Sequence, residues 1–387
     1  MVYDLNGTTL STGGGSGMLN VLDYGFKGDG TEKKFYFGGT VYDFQVYGKA
    51  LTDAQVKTLL AEGLSGTTDN LAAFNNLVAA HPAETLYFPK GVYAFSGKLV
   101  FDQCYMELDN AELKCTASTK VDRFIEIRGK MTPPETPQQD MFIRGNGKVN
   151  ANFKADDCIA VARQKCTLID HISIQNFQRY GICGKFNDAS MTNSDGQTEA
   201  NLSYELMVRN CLIETSLIYP DAVGIYDTGD SMYTDIVILN VKTALSCNGS
   251  SIFHNIHAWC FDFNYSDHDT KKALLEDTVF AYIRVNGTRF SDCYCDTYQR
   301  GFKFYSGVSL VYLTNFKWYV APNAWPTDLP AYVFPANPTG QAMYKVFGAD
   351  IGGLGVSKFS DVDLSTQTNC RWYGIVHNLS DAPSTLQ

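Results

Sequence analysis

HISIQ (residues 171–175), NCLIE (210–214), DIVIL (235–239), NIHAW (255–259), DCYCD (292–296) and NFKWY (315–319) are six copies of one five-residue pattern. Each copy opens with Asn, Asp or His, and mostly apolar residues occupy its second and fourth places. The openings lie 39, 25, 20, 37 and 23 residues apart, and polar inserts account for the two long intervals. A base repeat of about 20 to 25 residues, with loops extending from two turns, predicts a solenoid.

The alternation inside each copy has a period of two, which favours strands over helices. A second short strand is predicted after each of the first five copies, at residues 181–184, 224–227, 244–247, 282–285 and 301–304. The Asn and Asp residues at the openings can hydrogen-bond to the same position of a neighbouring coil. Together these features predict an all-β chain that forms a right-handed parallel β-helix.

Composition and charge limit the possible partners. The formal net charge is -10 and charged residues make up only 19% of the chain, which argues against a nucleic-acid partner. No apolar run reaches the length of about 18 residues that a membrane-spanning helix requires. The first 17 residues lack a basic stretch followed by an apolar one, so they do not resemble a secretory signal.

The 11 cysteines follow no disulfide framework, and we expect free thiols that pack as small apolar groups. Cys293 and Cys295 share one strand face, but no second pair completes a zinc site. We therefore expect no metal and no cofactor. Free thiols and the absence of a signal indicate a chain that is made in the cytoplasm.

A family resemblance appears near the N-terminus. NVLDYGFKGDG (20–30), TTDN (67–70) and LYFPKGVY (86–93) resemble the N-terminal signature of the pectate-lyase-like superfamily, found in phage tailspikes and related polysaccharide-acting enzymes. The resemblance extends over residues 20–30 and 67–320. It implies a glycan partner, a homotrimer, and a protein that is virion-associated or released by lysis. The superfamily contains hydrolases, lyases, epimerases and binding-only proteins, so the reaction remains open.

Residues 33–63 interrupt this signature and resemble the C-terminal end of a laminin-G-like lectin domain. The matching positions are Gly39, Asp43, Tyr47, Ala50, Leu51 and Thr52. About thirty residues are too few for such a domain, so we expect two strands and a helix without a sugar site. The predicted divisions are a flexible segment (1–18), an N-terminal cap (19–98), the β-helix (99–320) and an irregular C-terminal β-element (321–387).

Two aspartates of the signature have predicted structural roles. Asp29 is expected to lie in a turn. Asp69 is expected to cap a helix that runs through Ala80. That helix would cover the open end of the β-helix and protect its exposed strand edges.

If the second and fourth places point inward, the third and fifth point outward. We call the outward residues of the last three copies the outer patch: His257, Trp259, Tyr294, Asp296, Lys317 and Tyr319. Neighbouring coils lie about 4.8 Å apart, so these residues are predicted to form one surface. Aromatic rings beside polar groups suit sugar binding, although a subunit interface also favours aromatic residues.

Glycoside hydrolysis needs two carboxyl groups about 5 to 9.5 Å apart. A polar insert, residues 260–278, follows Trp259 in the sequence. At the outer patch, Asp296 is the predicted catalytic residue, paired with one acid of this insert: Asp262, Asp267 or Asp269. A lyase is the runner-up, with Lys317 or His257 as the base and a cation that neutralises a uronate. A non-catalytic adhesin or structural spike that only binds a surface glycan is the third alternative.

Three further acids are secondary candidates. Asp227 and Asp230 flank a glycine turn, where capping is the default role. Glu214 lies three coils from Asp296, a separation of about 14 Å that prevents direct pairing.

Overall fold

The computed structural model describes most of the chain between residues 68 and 334 and parts of both ends. The described residues are 2–3, 9–10, 18–20, 68–82, 84–129, 138–186, 203–260, 267–305, 310–321, 325–334, 343–351, 357–358 and 371–377. Asp29, Asp262 and the laminin-G-like segment 33–63 lie outside these residues.

Two large sheets dominate the described chain. The first sheet has 18 strands: Met18–Asn20, Thr85–Phe88, Gly91–Phe95, Tyr105–Leu108, Ala111–Cys115, Phe142–Gly145, Lys148–Asn150, Leu168–Asp170, Ser173–Gln175, Met207–Arg209, Leu212–Glu214, Met232–Leu239, Ile252–Trp259, Thr288–Ser291, Tyr294–Asp296, Leu310–Tyr319, Met343–Ile351 and Arg371–His377. The second sheet has ten: Leu99–Phe101, Val121–Ile127, Ala155–Val161, Tyr180–Cys183, Val223–Tyr226, Thr243–Cys247, Val279–Ile283, Arg300–Phe304, Ala331–Tyr332 and Ser357–Lys358. Val2–Tyr3 pairs antiparallel with Thr9–Leu10, and Gln138–Gln139 pairs parallel with Gln164–Lys165.

Each regular coil crosses both sheets. In one coil, Met207–Arg209 and Leu212–Glu214 lie in the first sheet on either side of a corner at Asn210, and Val223–Tyr226 lies in the second sheet. Each of these strands pairs in parallel with the equivalent strand of the next coil. The predicted parallel β-helix is therefore confirmed, and parallel strand crossovers of this kind wind right-handed as a general rule.

The six copies of the pattern lie directly over one another in the first sheet. Their third places are paired in the order Ser173, Leu212, Val237, His257, Tyr294 and Lys317. No side chain at a second or fourth place is more than 3% exposed. The predicted register and its inward and outward faces are confirmed, because a one-residue slip would reverse both faces.

The opening residues form the corners of the coils. All six adopt left-handed backbone conformations, with φ between 50° and 58°. Asn and Asp tolerate this region better than other residues with a side chain. They also bond along the column: Asn255 Nδ2 donates to Asp235 Oδ1 at 2.6 Å, and Asn315 Nδ2 donates to Asp292 Oδ1 at 2.7 Å. Tolerance of a left-handed backbone and hydrogen bonding between coils together explain why Asn and Asp predominate at the openings.

Helix Leu71–Ala80 packs against the N-terminal coils. Phe74 contacts the rings of Phe95 and Phe101 edge-on, with centroids 6.0 and 5.0 Å away. Asn70 occupies the N-cap position, one residue later than predicted, and Asp69 Oδ1 accepts hydrogen bonds from the backbone N–H groups of Leu71 and Ser96. The role of Asp69 is therefore structural as predicted, although it is not the N-cap residue. That this helix closes the open end of the β-helix stays a prediction.

The ladder of parallel strands extends beyond the predicted limits of residues 99 and 320. Thr85–Phe88 pairs with Tyr105–Leu108 before the predicted start. After the proline-rich segment, Met343–Ile351 pairs with Leu310–Tyr319, and Arg371–His377 continues the sheet. Prolines interrupt the sequence period there, but the described strands return to the same ladder.

Two further properties concern the described residues only. Neither of the described helices, Leu71–Ala80 and His268–Leu275, has the length and apolar character needed to cross a membrane. Ten described cysteines are free, and nine of them are buried. They occupy the interior as small apolar residues, as the sequence predicts.

Candidate functional site

The outer patch has the predicted arrangement. Trp259 pairs with Asp296, which pairs with Tyr319 in the next coil. His257, Tyr294 and Lys317 form the parallel row beside them, also one residue per coil. All six side chains are half-buried or exposed on the outer face of the first sheet.

The second row of the patch is a closed stack. The His257 and Tyr294 rings lie 4.6 Å apart at an angle of 5°, and Lys317 Nζ lies 4.7 Å from the Tyr294 centroid. Because the three residues come from successive coils, His257 and Lys317 cover opposite faces of the Tyr294 ring. A sugar ring stacks on an aromatic face. The stack therefore leaves Tyr294 edge-on to solvent, an arrangement that stabilises adjacent coils.

Asp296 already has partners for both oxygens. Tyr294 Oη donates to Oδ2 at 3.0 Å, and Thr297 Oγ1 donates to Oδ1 at 2.6 Å. Burial lowers the pKa of His257, Asp296 partly opposes this effect and Lys317 adds to it. Burial also raises the pKa of Tyr294, and the neighbouring Asp296 adds to that rise. Both shifts favour the neutral imidazole and the neutral phenol, which lie beside a carboxyl group whose two oxygens are both hydrogen-bonded.

The other predicted acids of the insert, Asp267 and Asp269, lie at the start of its helix. Asp267 caps helix His268–Leu275, where its Oδ1 accepts from the Thr270 backbone N–H at 2.8 Å. The Asp269 side chain is 98% exposed and lies 3.0 Å from His268 Nδ1. Their contacts are with the first turn of this helix. Asp262 lies outside the described residues, so the pair it was predicted to form with Asp296 stays a prediction.

Asp227 is fully buried at a corner between the sheets. Its carboxylate accepts hydrogen bonds from the Tyr233 and Ser251 hydroxyls at 2.9 and 2.8 Å and from the Gly229 and Gly249 amides at 3.3 and 3.1 Å. Burial raises its pKa, and these four donors oppose the rise. The geometry is that of a buried turn-capping group, which is the default role predicted for this residue.

The remaining secondary candidates, Asp230 and Glu214, lie at different places in the fold. Asp230 is exposed and adopts a φ of 46°, which Asp tolerates at a turn. Glu214 is half-buried, and burial raises its pKa. Its row continues through Leu239 and Trp259 to Asp296, so three coils separate the two acids as expected.

A cavity of about 440 Å³ lies on the outer face of the second sheet. We call it the second-sheet groove. One row of outward residues crosses it in register: Tyr226, Ser246, Tyr282 and Lys303. Sequence reasoning missed the groove because only the outward places of the first sheet were considered. The second-strand segments carried the available signal, a tyrosine or lysine at equivalent outward places.

The basic residues of the groove differ in whether a carboxylate pairs with their positive charge. Arg179 forms two hydrogen bonds to the Asp157 carboxylate, at 2.7 and 2.8 Å. The Arg284 guanidinium instead lies 4.3 Å from the Tyr282 centroid. Its Nε is buried and has no hydrogen-bond partner among the described residues. Lys303 is exposed, with Nζ 5.5 Å from the same ring. Arg284 and Lys303 thus form a cationic end of the groove.

Two exposed acids, Asp221 and Asp277, line the opposite edge. Each lies two residues before a strand position of one paired row, which runs from Val223 through Thr243 to Val279. The two acids are therefore about two coils, or roughly 10 Å, apart along the β-helix axis. The carboxyls of inverting glycosidases lie about 6.5 to 9.5 Å apart, a distance between side chains that this backbone separation permits. Among the described residues, no group of three or more His, Cys, Asp or Glu is arranged to hold a metal ion.

Comparison with known proteins gives structural likenesses only. No family model matches the chain, and no curated protein matches its sequence. An alginate lyase from Paenibacillus sp. str. FPU-7 aligns with 74% of this chain and 96% of its own, at 13% identity and a TM-score of 0.47. A tailspike protein of E. coli bacteriophage HK620 aligns with 83% of this chain, at 10% identity and a TM-score of 0.43, and the alignment spans 65% of that protein. The pectate lyase Pel9A aligns with 80% of this chain and 76% of its own, at 10% identity and a TM-score of 0.47.

These structures include a pectate lyase and a phage tailspike, the two kinds of protein that the sequence resembles. The likeness concerns the fold, and the activities in those names belong to those proteins.

Proposed function

We propose that the protein binds an acidic polysaccharide in the second-sheet groove and hydrolyses it, with Asp221 and Asp277 as the acid and base. The observation that carries this proposal is the placement of two exposed carboxylates about two coils apart at one edge of a single cavity. An inverting hydrolase needs its two carboxyl groups about 6.5 to 9.5 Å apart, because a water molecule must fit between the base and the sugar, and acids two coils apart can reach that range through their side chains.

The cationic end of the groove favours a substrate with acidic groups. The buried Nε of Arg284 lacks a partner among the described residues, and a uronate or sulfate oxygen would supply one. A charge-assisted hydrogen bond of this kind is about twice as strong as a neutral one. Lys303 lies beside it and adds a second positive charge.

Tyrosines supply the apolar part of the groove. The Tyr180 and Tyr226 rings lie 5.0 Å apart at 41°, so they are tilted and not closed into a parallel stack. Both are half-buried, and burial raises the pKa of each phenol. Neutral phenols beside a cavity can contact a sugar ring and also donate to its hydroxyls.

The test uses polygalacturonate and alginate as acidic probes and dextran as a neutral one. We expect new reducing ends from an acidic probe, without an unsaturated product that absorbs in the ultraviolet. Asp221→Asn and Asp277→Asn should each reduce product release by about 10² to 10⁴-fold while binding persists. Asp296→Asn should retain activity. An ultraviolet-absorbing product would identify a lyase instead, binding without product would identify an adhesin, and no binding would overturn the proposal.

The outer patch is the second candidate for the same reaction. The observation that favours it is the position of the half-buried Asp296, which lies between Trp259 and Tyr319 of the two neighbouring coils. The coil that contains Trp259 also carries the acidic insert. In that case Asp296→Asn would abolish product release and Asp277→Asn would not. The sequence resemblance adds a homotrimer associated with a virion or released by lysis, and both remain predictions.

A further inference from the structure

Lys242 joins the second sheet to the helical insert. Its Nζ donates to the backbone carbonyls of Ala273, Leu274 and Glu276 at 3.3, 2.6 and 2.9 Å. Ala273 and Leu274 lie in the last turn of helix His268–Leu275 and Glu276 is its C-cap, where carbonyls commonly lack a partner within a helix. A cation at this end is also favoured by the helix dipole.

The chain that leaves this helix leads directly to the groove. Asp277 has a left-handed φ of 57°, and its N–H donates to Gln299 Oε1 at 2.7 Å. Thr278 Oγ1 donates to the Leu275 carbonyl at 2.7 Å. The position of Asp277 at the groove edge therefore depends on how the end of the helix is attached to the sheet.

Lys242 also lines the groove, so a direct role in substrate binding is the alternative. An ammonium group has three donors. The three carbonyls occupy all of them, which leaves none for an anionic ligand. Burial lowers the pKa of Lys242, and Asp277 and Glu276 are among the groups that oppose this effect.

We propose that Lys242 is a positioning residue, which attaches the C-terminal end of helix His268–Leu275 to the second sheet and thereby holds Asp277 at the groove edge that it shares with Asp221. The proposal rests on the proposed hydrolysis in the groove. It assigns Lys242 no contact with the reacting atoms.

The experiment compares Lys242→Met, which keeps the aliphatic stem, with Lys242→Arg, which keeps the charge. Lys272→Met is the matched control on the same helix, because Lys272 Nζ bonds the exposed Asp328 at 2.6 Å instead. Two quantities are measured: backbone amide exchange in residues 268–277, and kcat and KM for release of reducing ends from polygalacturonate or alginate, whichever the unmodified protein cleaves.

Lys242→Met should raise amide exchange in residues 268–277 and lower kcat by up to about 100-fold, because the acid is displaced from its working position. KM should change little, because Arg284 and Lys303 still hold the substrate. Lys242→Arg should show a smaller rise in amide exchange and a smaller fall in kcat than Lys242→Met. Lys272→Met should change neither quantity.

Unchanged exchange in Lys242→Met would overturn the attachment. Raised exchange with unchanged kcat would overturn the positioning role, as would an increase in KM alone, which would point to direct substrate binding. If the unmodified protein releases no product from either probe, the proposed hydrolysis fails and the positioning of a catalytic acid fails with it. The exchange data then still decide separately whether Lys242 attaches the helix.

Discussion

The outer patch and the second-sheet groove contain similar residue types but use them differently. In the patch, Asp296 bonds to a phenol and a hydroxyl, and Tyr294 is covered on both faces. In the groove, Arg284 has a buried donor without a partner among the described residues, and the rings of Tyr180 and Tyr226 are in contact but inclined to each other at 41°. Residue type at an outward position is therefore not enough to define a site. Each surface leaves one buried nitrogen without a partner among the described residues, His257 Nε2 in the patch and Arg284 Nε in the groove. The groove differs because its nitrogen belongs to a guanidinium group, which carries a positive charge that an acidic ligand can pair with.

The difference has a geometric cause. Both surfaces keep a continuous register, and in the patch the side chains at equivalent places, about 4.8 Å apart, stack on one another. In the groove, the helical insert and the segment containing Pro220 and Asp221 lie at the start of the strands. Residues of these segments line one edge of the cavity, although side chains within the groove also contact one another, as Arg284 and Lys303 do at the Tyr282 ring.

The largest effect is expected at a group whose hydrogen bonds are all made within the protein. Asp227→Ala leaves two hydroxyls and two amides without their acceptor in a fully buried corner. We expect a loss of about 3–5 kcal/mol in the free energy of unfolding. Urea denaturation checks this value, with Asp230→Asn as the exposed control, for which we expect a change within about 0.5 kcal/mol. A loss below about 1 kcal/mol for Asp227→Ala would contradict the structural role.

A group that the protein leaves unsatisfied should affect binding and leave stability unchanged. Arg284→Gln removes the charge and the unpartnered donor at the cationic end of the groove, so we expect about tenfold weaker binding of the acidic probe that the protein binds. This corresponds to about 1.4 kcal/mol. The loss should shrink as salt is added, since salt screens exposed charges. Calorimetric titration at two salt concentrations measures both effects.

Arg289→Gln is the matched control for this comparison. Arg289 lies on the outer face of the first sheet, 5.9 Å from the Tyr312 centroid, and is exposed. Its replacement should leave binding unchanged. Equal losses in the two variants would mean that net charge alone attracts the probe, and the contrast between the two faces would fail.

The sequence predicts much of the first sheet because its signal is local. The alternation around Ile213 or Cys295 fixes which side chains point inward, and Asn or Asp at the openings fixes where the chain turns. These features repeat, so the register of distant residues such as Trp259 and Asp296 follows from counting. The continuation of the ladder through Met343–Ile351 was missed because a proline-rich segment hides the period.

The groove is harder to predict because it depends on inserts without a repeat. Asp221 and Asp277 lie just before strands, and nothing in their local sequence distinguishes them from ordinary turn residues. Their relation appears only when Val223 and Val279 are placed in one row, two coils apart. The sequence also does not predict the stacking of His257, Tyr294 and Lys317 in the outer patch. Assigning a side chain to the inward or outward face does not give the orientation of its ring.

The smallest expected effect concerns His257, and it tests whether the patch stack stabilises the coils. Burial and Lys317 lower the pKa of its imidazole, and Asp296 only partly opposes them. An unfolded chain takes up this proton near pH 6.5. Between that pH and the lower pKa of the folded state, the unfolded chain binds more protons, so stability decreases as the pH falls. The contribution of His257 is therefore complete above about pH 6.5 and is lost progressively below it.

His257→Phe provides the comparison, because a phenyl ring can stack on Tyr294 but cannot take up a proton. Urea unfolding midpoints of both proteins are measured from pH 8 to pH 5. The two profiles should run parallel above about pH 6.5 and diverge below it, with the unmodified protein losing more stability. Parallel profiles over the whole range would mean that the imidazole is as easily protonated in the folded protein as in the unfolded chain. In that case the outer patch would be a more open and more hydrated surface than its stacked rings indicate, and the difference between the two faces of the β-helix would be smaller than proposed.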